Sequence, residues 1–264
     1  MTDTIPPPRS AGEHLEAVAG EVARLASDLV RASFGRATAL ETKSSPTDIV
    51  TRVDLQSEAL IRRELLSRCP GSTIVGEELA DAVGSNAVGW VVDPIDGTVN
   101  FLYGLPVVSV SIAATVEGVT VAGAVVDVAS GETFSAALGH GARSNGAAIE
   151  ARSVDGLHNA LVGTGFSYAA ERRREQSSIL NRLLPSCRDI RCMGSAALNL
   201  CWVASGRLDA YYEHDTKPYD YEAGALIAAE AGAEVELPAD NARDLTVAGH
   251  RETYRALRRL IMAT

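Results

Sequence analysis

The residues best equipped for chemistry fall in one stretch, Trp90 to Phe101, which reads WVVDPIDGTVNF. Three apolar residues suited to a buried strand are followed at once by Asp93, Pro94, Ile95, Asp96, Gly97 and Thr98. Two carboxylates, a proline, a glycine and a hydroxyl make a poor structural turn. They make a good site for a hard cation and a phosphate. Carboxylate oxygens are the donors such cations take. A glycine lets the backbone approach a ligand closely, and free amides at a helix start bind phosphate oxygens.

Further acids stand at separated places: Asp54, the pair Glu77 and Glu78, and Asp220. Each follows an apolar strand or opens a helix, positions that face the ligand-binding end of a sheet. The five histidines show no metal-ligand spacing, which argues against zinc. The pattern reads as a metal-dependent phosphomonoesterase, in which bound cations activate water and no protein nucleophile is needed.

Those clusters need elements to position them. A helix is expected after residue 12, with Leu15, Val18, Val22, Leu25 and Leu29 on its buried stripe and Ala19, Ala26 and Val30 widening it. KSSPTDIVTRVD, residues 43–54, reads as a polar loop and short strand that deliver Asp54 to a second helix ending before Pro70 and Gly71. Leu55, Ala59, Leu65 and Leu66 are available to that helix's buried side. Residues 72–76 read as a strand feeding Glu77. From Val108, apolar residues alternate with Ser109, Ser111 and Thr115, and strands over 119–126 and 131–136 complete an antiparallel meander. After residue 152 strands and helices alternate, which predicts crossovers and a mixed sheet. The expected division is a disordered tail over 1–12, an N-terminal lobe over 13–152 and a C-terminal α/β lobe over 153–264.

With 264 residues and 46 % apolar composition, the chain can bury a large core. A net charge of −10 disfavours nucleic acid and anionic membranes as partners. It allows an anionic substrate where bound cations supply positive charge. No apolar run reaches the ~20 residues of a membrane span. The four cysteines form no CxxC and follow no evident leader, which fits a reduced, cytoplasmic protein.

GEE at 76–78, DPIDGTVNF at 93–101, KSSPTDIVTRVD at 43–54 and YDYEAGALIAAEAG at 219–232 resemble the signatures of the inositol monophosphatase family, with the bacterial SuhB-like branch nearest. The resemblance runs from about residue 15 to the C-terminus. It implies a layered αβαβα sandwich of the inositol monophosphatase and fructose-1,6-bisphosphatase type, a homodimer, lithium sensitivity and two to three Mg²⁺ per subunit. By this resemblance Glu77, Asp93, the Ile95 carbonyl and Thr98 hold a first ion, and Asp93, Asp96 and Asp220 a second. Glu77 reaches a third through water. Asp54 and Thr98 orient and deprotonate the attacking water, and the Gly97 and Thr98 amides grip the phosphate. Asp96, the Ser195–Ala196 backbone and Glu213 face the alcohol part of the substrate. The implied reaction is hydrolysis of a small polyol or sugar phosphate, with myo-inositol 1-phosphate foremost. Fructose 1,6-bisphosphate, histidinol phosphate, a 3′-phosphonucleotide or a regulatory partner role are the alternatives.

Several residues keep two readings. Lys43 is either a solvated loop lysine or a cation near the site, and Glu78 is either structural or close to the metals. Arg172, Arg173 and Arg174 are a solvated face or a clamp for a second phosphate. Cys192 and Cys201 read as inert core residues, and His214 as a surface histidine or a substrate contact. Glu222 stands where the family carries a small residue. It is either an outward-facing acid or an addition to the metal shell.

Overall fold

The computed structural model describes residues 9–35, 39–42, 49–238 and 244–263. The first helix, α1 (Arg9–Ala32), begins inside the stretch expected to be a tail, and residues 1–8 lie outside those described. A short antiparallel pair follows, β1 (Ala39–Thr42) with β2 (Ile49–Thr51), leading into α2 (Arg52–Arg68). Next come β3 (Thr73–Gly76), β4 (Val88–Asp96), the short α3 (Thr98–Tyr103), β5 (Ser109–Val116), β6 (Val119–Asp127), β7 (Thr133–Ala137), β8 (Ala142–Ser144) and β9 (Ala147–Ile149). These strands form a seven-stranded sheet in sequence order, antiparallel except for the parallel β3–β4 pair.

The second half supplies β10 (Leu161–Thr164), α4 (Ala170–Leu183), β11 (Asp189–Cys192), α5 (Ala196–Ala204), β12 (Ala210–His214), α6 (Pro218–Glu230), β13 (Glu234–Glu236), β14 (Leu245–Gly249) and α7 (Arg251–Met262). Its sheet is mixed, in the order β11-β10-β12-β14-β13, with β10 parallel to both its neighbours and β14 antiparallel to its own. Three apolar clusters separate the layers. One lies between α1 and α2 and the large sheet. The second joins α5 and α6 to both sheets, and the third seats α4 and α7 on the small sheet. The result is the expected αβαβα stack.

Two expectations about buried faces are corrected. On α1, Leu25 is 44 % exposed, while Leu15, Val18, Ala19, Val22, Ala23, Ala26 and Val30 carry the contact. Small residues let the helix lie close to the sheet. On α2, Leu66 and Ala59 face outward, and the buried set is Val53, Asp54, Ser57, Glu58, Ile61 and Leu65. That face is half polar because it abuts the site. Ser109 and Ser111, on the polar side of the alternation, are also buried, since helices cover both faces of the large sheet.

The backbones of two layers approach closely at Gly123 of β6. A Cβ there would stand 2.9 Å from the Ala223 Cα and 3.1 Å from its carbonyl oxygen. Backbone cannot yield as a side chain can, so Gly123→Val is expected to cost about 1–3 kcal/mol. A urea midpoint equal to that of the wild type would show that α6 is free to move off the sheet.

Candidate functional site

Strand β4 carries the acidic turn. Its register with β5 shifts between Asp93 and Asp96, around Pro94, which has no N–H to give the ladder. The bulge re-aims the strand's end. The Asp93 Oδ1 accepts from the Ile95 amide at 3.0 Å, and Ser57 of α2 donates to the Pro94 carbonyl at 3.0 Å. Gly97 then turns the chain into α3 at φ +99°. A Cβ at Gly97 would lie 2.9 Å from the Val107 oxygen and 3.0 Å from the Gly194 oxygen, so only glycine fits.

Thr98 opens α3 with its hydroxyl 3.0 Å from both the Ile95 carbonyl and the Asp54 Oδ1. Asp54 is at the third position of α2, fully buried, and its Oδ2 accepts from the Thr51 amide at 2.9 Å in a capping box. Burial pushes its carboxyl up, and the bonds from Thr51 and Thr98 oppose that rise. An acceptor oxygen facing a threonine hydroxyl is the arrangement of a proton acceptor and its relay.

Asp96 is turned towards α5. It accepts from Ser195 Oγ at 2.5 Å, Ser109 Oγ at 3.2 Å, and the Ala197 and Ala196 amides at 2.8 and 3.2 Å. Asp220 occupies the third position of α6 and accepts from the Lys217 amide at 2.6 Å. Glu77 follows β3 and lines the same cavity as Asp93, Asp96 and Asp220, about 930 Å³ in volume. Burial, then repulsion from Glu77, Asp96 and Asp220, pushes the Asp93 carboxyl well above the usual range. Burial and then Asp96 do the same to Asp220. No three His, Cys, Asp or Glu side chains among the described residues converge tightly enough to cage an ion as they stand. The acids share one field, and Asp96 spends its oxygens on the start of α5. By type the donors fit a hard divalent cation: carboxylates, the Ile95 carbonyl and a threonine hydroxyl, all oxygen. A cation among them would relieve the repulsion that now raises Asp93 and Asp220.

Glu213, on β12, is held by the Tyr211 hydroxyl, which donates to its Oε2 at 2.7 Å. Burial pushes its carboxyl up to about 7. Gly165 lies directly against it, since a Cβ there would stand 2.1 Å from either carboxylate oxygen. The structure therefore brings Glu77, Asp93, Ile95, Asp96, Gly97, Thr98, Ala196, Glu213 and Asp220 to one cavity, with Asp54 and Ser195 bonded to its lining. Glu78 is not part of that lining, and Lys43 lies outside the described residues.

The model of the "Inositol monophosphatase family" matches residues 12–263. The chain belongs to the inositol monophosphatase family. It is 53 % identical over 208 residues to "Inositol-1-monophosphatase SuhB" of Mycobacterium tuberculosis, covering 75 % of this chain and 72 % of that protein. It is 39 % identical over 218 residues to "Nus factor SuhB" of Pasteurella multocida, covering 81 % and 82 %. Among solved structures, the extragenic suppressor protein suhB of Bartonella henselae superposes with a TM-score of 0.89 at 28 % identity, over 94 % of this chain and 98 % of that one. This inositol monophosphatase family member is a phosphatase, and its layered fold is that of the family's structures.

Sequence reasoning missed the device that holds Glu77 in this family member. Buried Glu58 of α2 accepts from the Glu78 and Leu79 amides at 2.7 and 3.2 Å and from Arg62 at 2.8 Å. Arg62 in turn donates to the Leu79 and Ala80 carbonyls, each at 2.9 Å. Gly76 is required there, because a Cβ would fall 2.0 Å from the Glu58 Oε1. The i,i+4 spacing of Glu58 and Arg62 was the available signal, and it looks like an ordinary surface pair. Cys192 is corrected as well: it is exposed and lines the cavity, while Cys201 is buried. Cys192 ends the edge strand β11, where one side of the sheet has no neighbour. His214 is buried and also lines the cavity.

Glu222 accepts from the Thr120 hydroxyl of β6, so its carboxylate is committed to the large sheet. Glu222→Ala is expected to leave the rate of phosphate release within about twofold, as for a change outside the reacting groups. A clear change in the divalent-metal optimum would place it with the site instead. Glu58→Ala strips two amides and a half-buried guanidinium of their acceptor, and is expected to cost about 3 kcal/mol in denaturant unfolding.

Proposed function

We propose that this phosphatase hydrolyses a small polyol or sugar phosphate with magnesium, and that myo-inositol 1-phosphate is the first substrate to test. The observation that carries the reading is the Thr98 hydroxyl, bonded to Asp54 beside a turn crowded with carboxylates. Glu77, Asp93, the Ile95 carbonyl, Asp96, Thr98 and Asp220 would hold two to three Mg²⁺, which supply Lewis acidity for the phosphate oxygens and for water when bound.

The chain's own residues then have separate tasks. Asp54 Oδ1 receives a proton through Thr98 Oγ1, which lies within hydrogen-bond distance of it. The Gly97–Thr98 backbone bends tightly enough to bring amides against a phosphate. Asp96 and Ser195 fix the start of α5, so that the Ser195–Ala196 segment is held rigidly beside the alcohol part of the substrate. Glu213 accepts from a polyol hydroxyl, and Tyr211 keeps its carboxylate aimed into the cavity. A cytoplasmic homodimer with lithium sensitivity completes the proposal.

The name of the 39 % identical Pasteurella multocida relative, "Nus factor SuhB", supports a second reading in which a partner-binding role accompanies phosphatase activity. The two readings separate in cells. Loss of hydrolysis in Asp93→Asn with an unchanged phenotype would favour the partner role.

Removal of the proton acceptor tests the chemistry directly. Asp54→Asn is expected to lower kcat on myo-inositol 1-phosphate by about 10²–10⁴-fold, the usual contribution of a positioned base. Chelation of divalent cations should silence the wild type, with magnesium restoring it. Phosphate release that survives both treatments would sink the mechanism.

A further inference from the structure

One wall of the cavity is supplied from outside the acid cluster. It is formed by residues 165–169, the end of β11 and the face of α4 that carries Arg173, Ser177 and Leu180. The three consecutive arginines of α4 point in different directions, as neighbours on a helix do, and only Arg173 joins that wall. Arg174 pairs with Glu171 at 2.9 Å, where both side chains are exposed. Arg172 stands off the lining and is committed to carboxylates on two sides. Its Nη1 donates to Glu175, on the next turn of α4, at 2.8 Å. Its Nε lies 3.1 and 3.3 Å from the two oxygens of Asp215, and its Nη2 3.1 Å from Oδ1.

Asp215 follows β12, opens the turn to α6 and lines the cavity. Its backbone is left-handed, at φ +67°. Glycine takes that conformation freely, whereas a Cβ is penalised in it, for aspartate less than for most residues. What aspartate adds over glycine is the carboxylate, and Arg172 takes it.

The turn is pinned elsewhere too. The Asp215 amide donates to the Asp244 carbonyl at 2.9 Å, and the buried hydroxyls of Thr216 and Thr246 are 2.7 Å apart. Those bonds tie the turn to β14, and the Arg172 pair ties it to α4. Directly after it Lys217 and Pro218 are exposed, so the start of α6 is placed by the turn itself. That start in turn places Asp220. The Lys217 amide donates to Asp220 Oδ2 at 2.6 Å, and the Asp220 amide donates back to the Lys217 carbonyl at 2.9 Å.

We propose that Arg172 is a positioning residue: by gripping Asp215 from α4 it holds the β12–α6 turn in its left-handed bend, and so aims Asp220 into the cavity for a divalent cation. This inference rests on the reading of Asp220 as a cation ligand. Residues that orient a ligand without touching the metal raise affinity by restricting that ligand to one geometry. Two guanidinium nitrogens directed at one carboxylate restrict it more than a single contact can, and lysine cannot reproduce the fork. The side chains of the pair are 30 % and 33 % exposed, so the pair acts through direction more than through stability.

Calorimetric titration of the metal-free protein with magnesium, without substrate, reads the effect apart from turnover. Arg172→Ala is expected to raise the half-saturating magnesium concentration by roughly 10-fold. Deuterium exchange over residues 214–222 of the metal-free protein should rise in the same variant, since the turn loses its hold on α4. Arg172→Lys should recover part of both, because it keeps charge without the fork. Asp215→Asn removes the charge and keeps a side chain that tolerates the left-handed bend. Its effect should not add to that of Arg172→Ala in the double variant. Arg174→Ala removes the same charge from the same helix and should change neither reading.

Unchanged magnesium binding and exchange in Arg172→Ala, even with a lower unfolding midpoint, overturns the proposal. So do additive effects in the double variant, or equal effects in Arg174→Ala. A wild type that binds no magnesium overturns the reading of Asp220 as a ligand, and the proposal with it. The wild-type titration alone therefore decides that reading, and the variants decide the role of Arg172.

Discussion

Four acids held within one another's field impose the main constraint on this fold. Repulsion among Glu77, Asp93, Asp96 and Asp220, added to their burial, favours neutral carboxyls, as the upward displacement of Asp93 and Asp220 records. The chain offsets part of that cost with oriented amides. Asp54 and Asp220 each occupy the third position of a helix, Asp96 sits on the first amides of α5, and Asp93 takes the amide of its own turn. Helix N-termini carry partial positive charge, so three helices converge their favourable ends on one small volume. The αβαβα stack makes this possible, because α2 reaches the site from one side of the large sheet and α5 and α6 from the other.

This arrangement explains which glycines the site depends on. Gly76 lets the chain pass over Glu58, Gly97 lets the turn fit between Val107 and Gly194, and Gly165 makes room for Glu213. In each case the missing Cβ would collide with a polar group that has its own task. Close approach of backbone to these polar groups is what lets the turn, the loop after β3 and the end of β10 pack around the acids.

The acidic turn, Glu77 and the late aspartate were legible in the sequence because their chemistry is local. A run of two carboxylates, proline, glycine and threonine carries its meaning whatever surrounds it. Most strands and helices were legible for the same reason, as periodicity is a property of short segments. What escaped was set by contacts far apart in sequence. Glu58 and Arg62 look like a surface i,i+4 pair until the loop after β3 is laid over them. Ser109 looks like the wet side of a strand until α5 covers it and Asp96 takes its hydroxyl. Cys192 looks like a core residue until β11 proves to be an edge strand. The three-residue strands β8, β9 and β13 have too few positions to show any period.

The same distinction separates reaction from selectivity. The acids, Thr98 and the turn are anchored by several bonds each, and a displacement of any one would disturb the others through their shared field. The wall of residues 165–169, α4 and β11 carries no such coupling. It is built from an exposed tyrosine, an exposed arginine and half-buried apolar residues, on loops, a helix surface and a sheet edge. Substitution there changes what the cavity accepts without disturbing the charges that act on phosphate. The motif therefore speaks clearly about phosphate, whereas the wall around the rest of the cavity is built from residues with no motif at all.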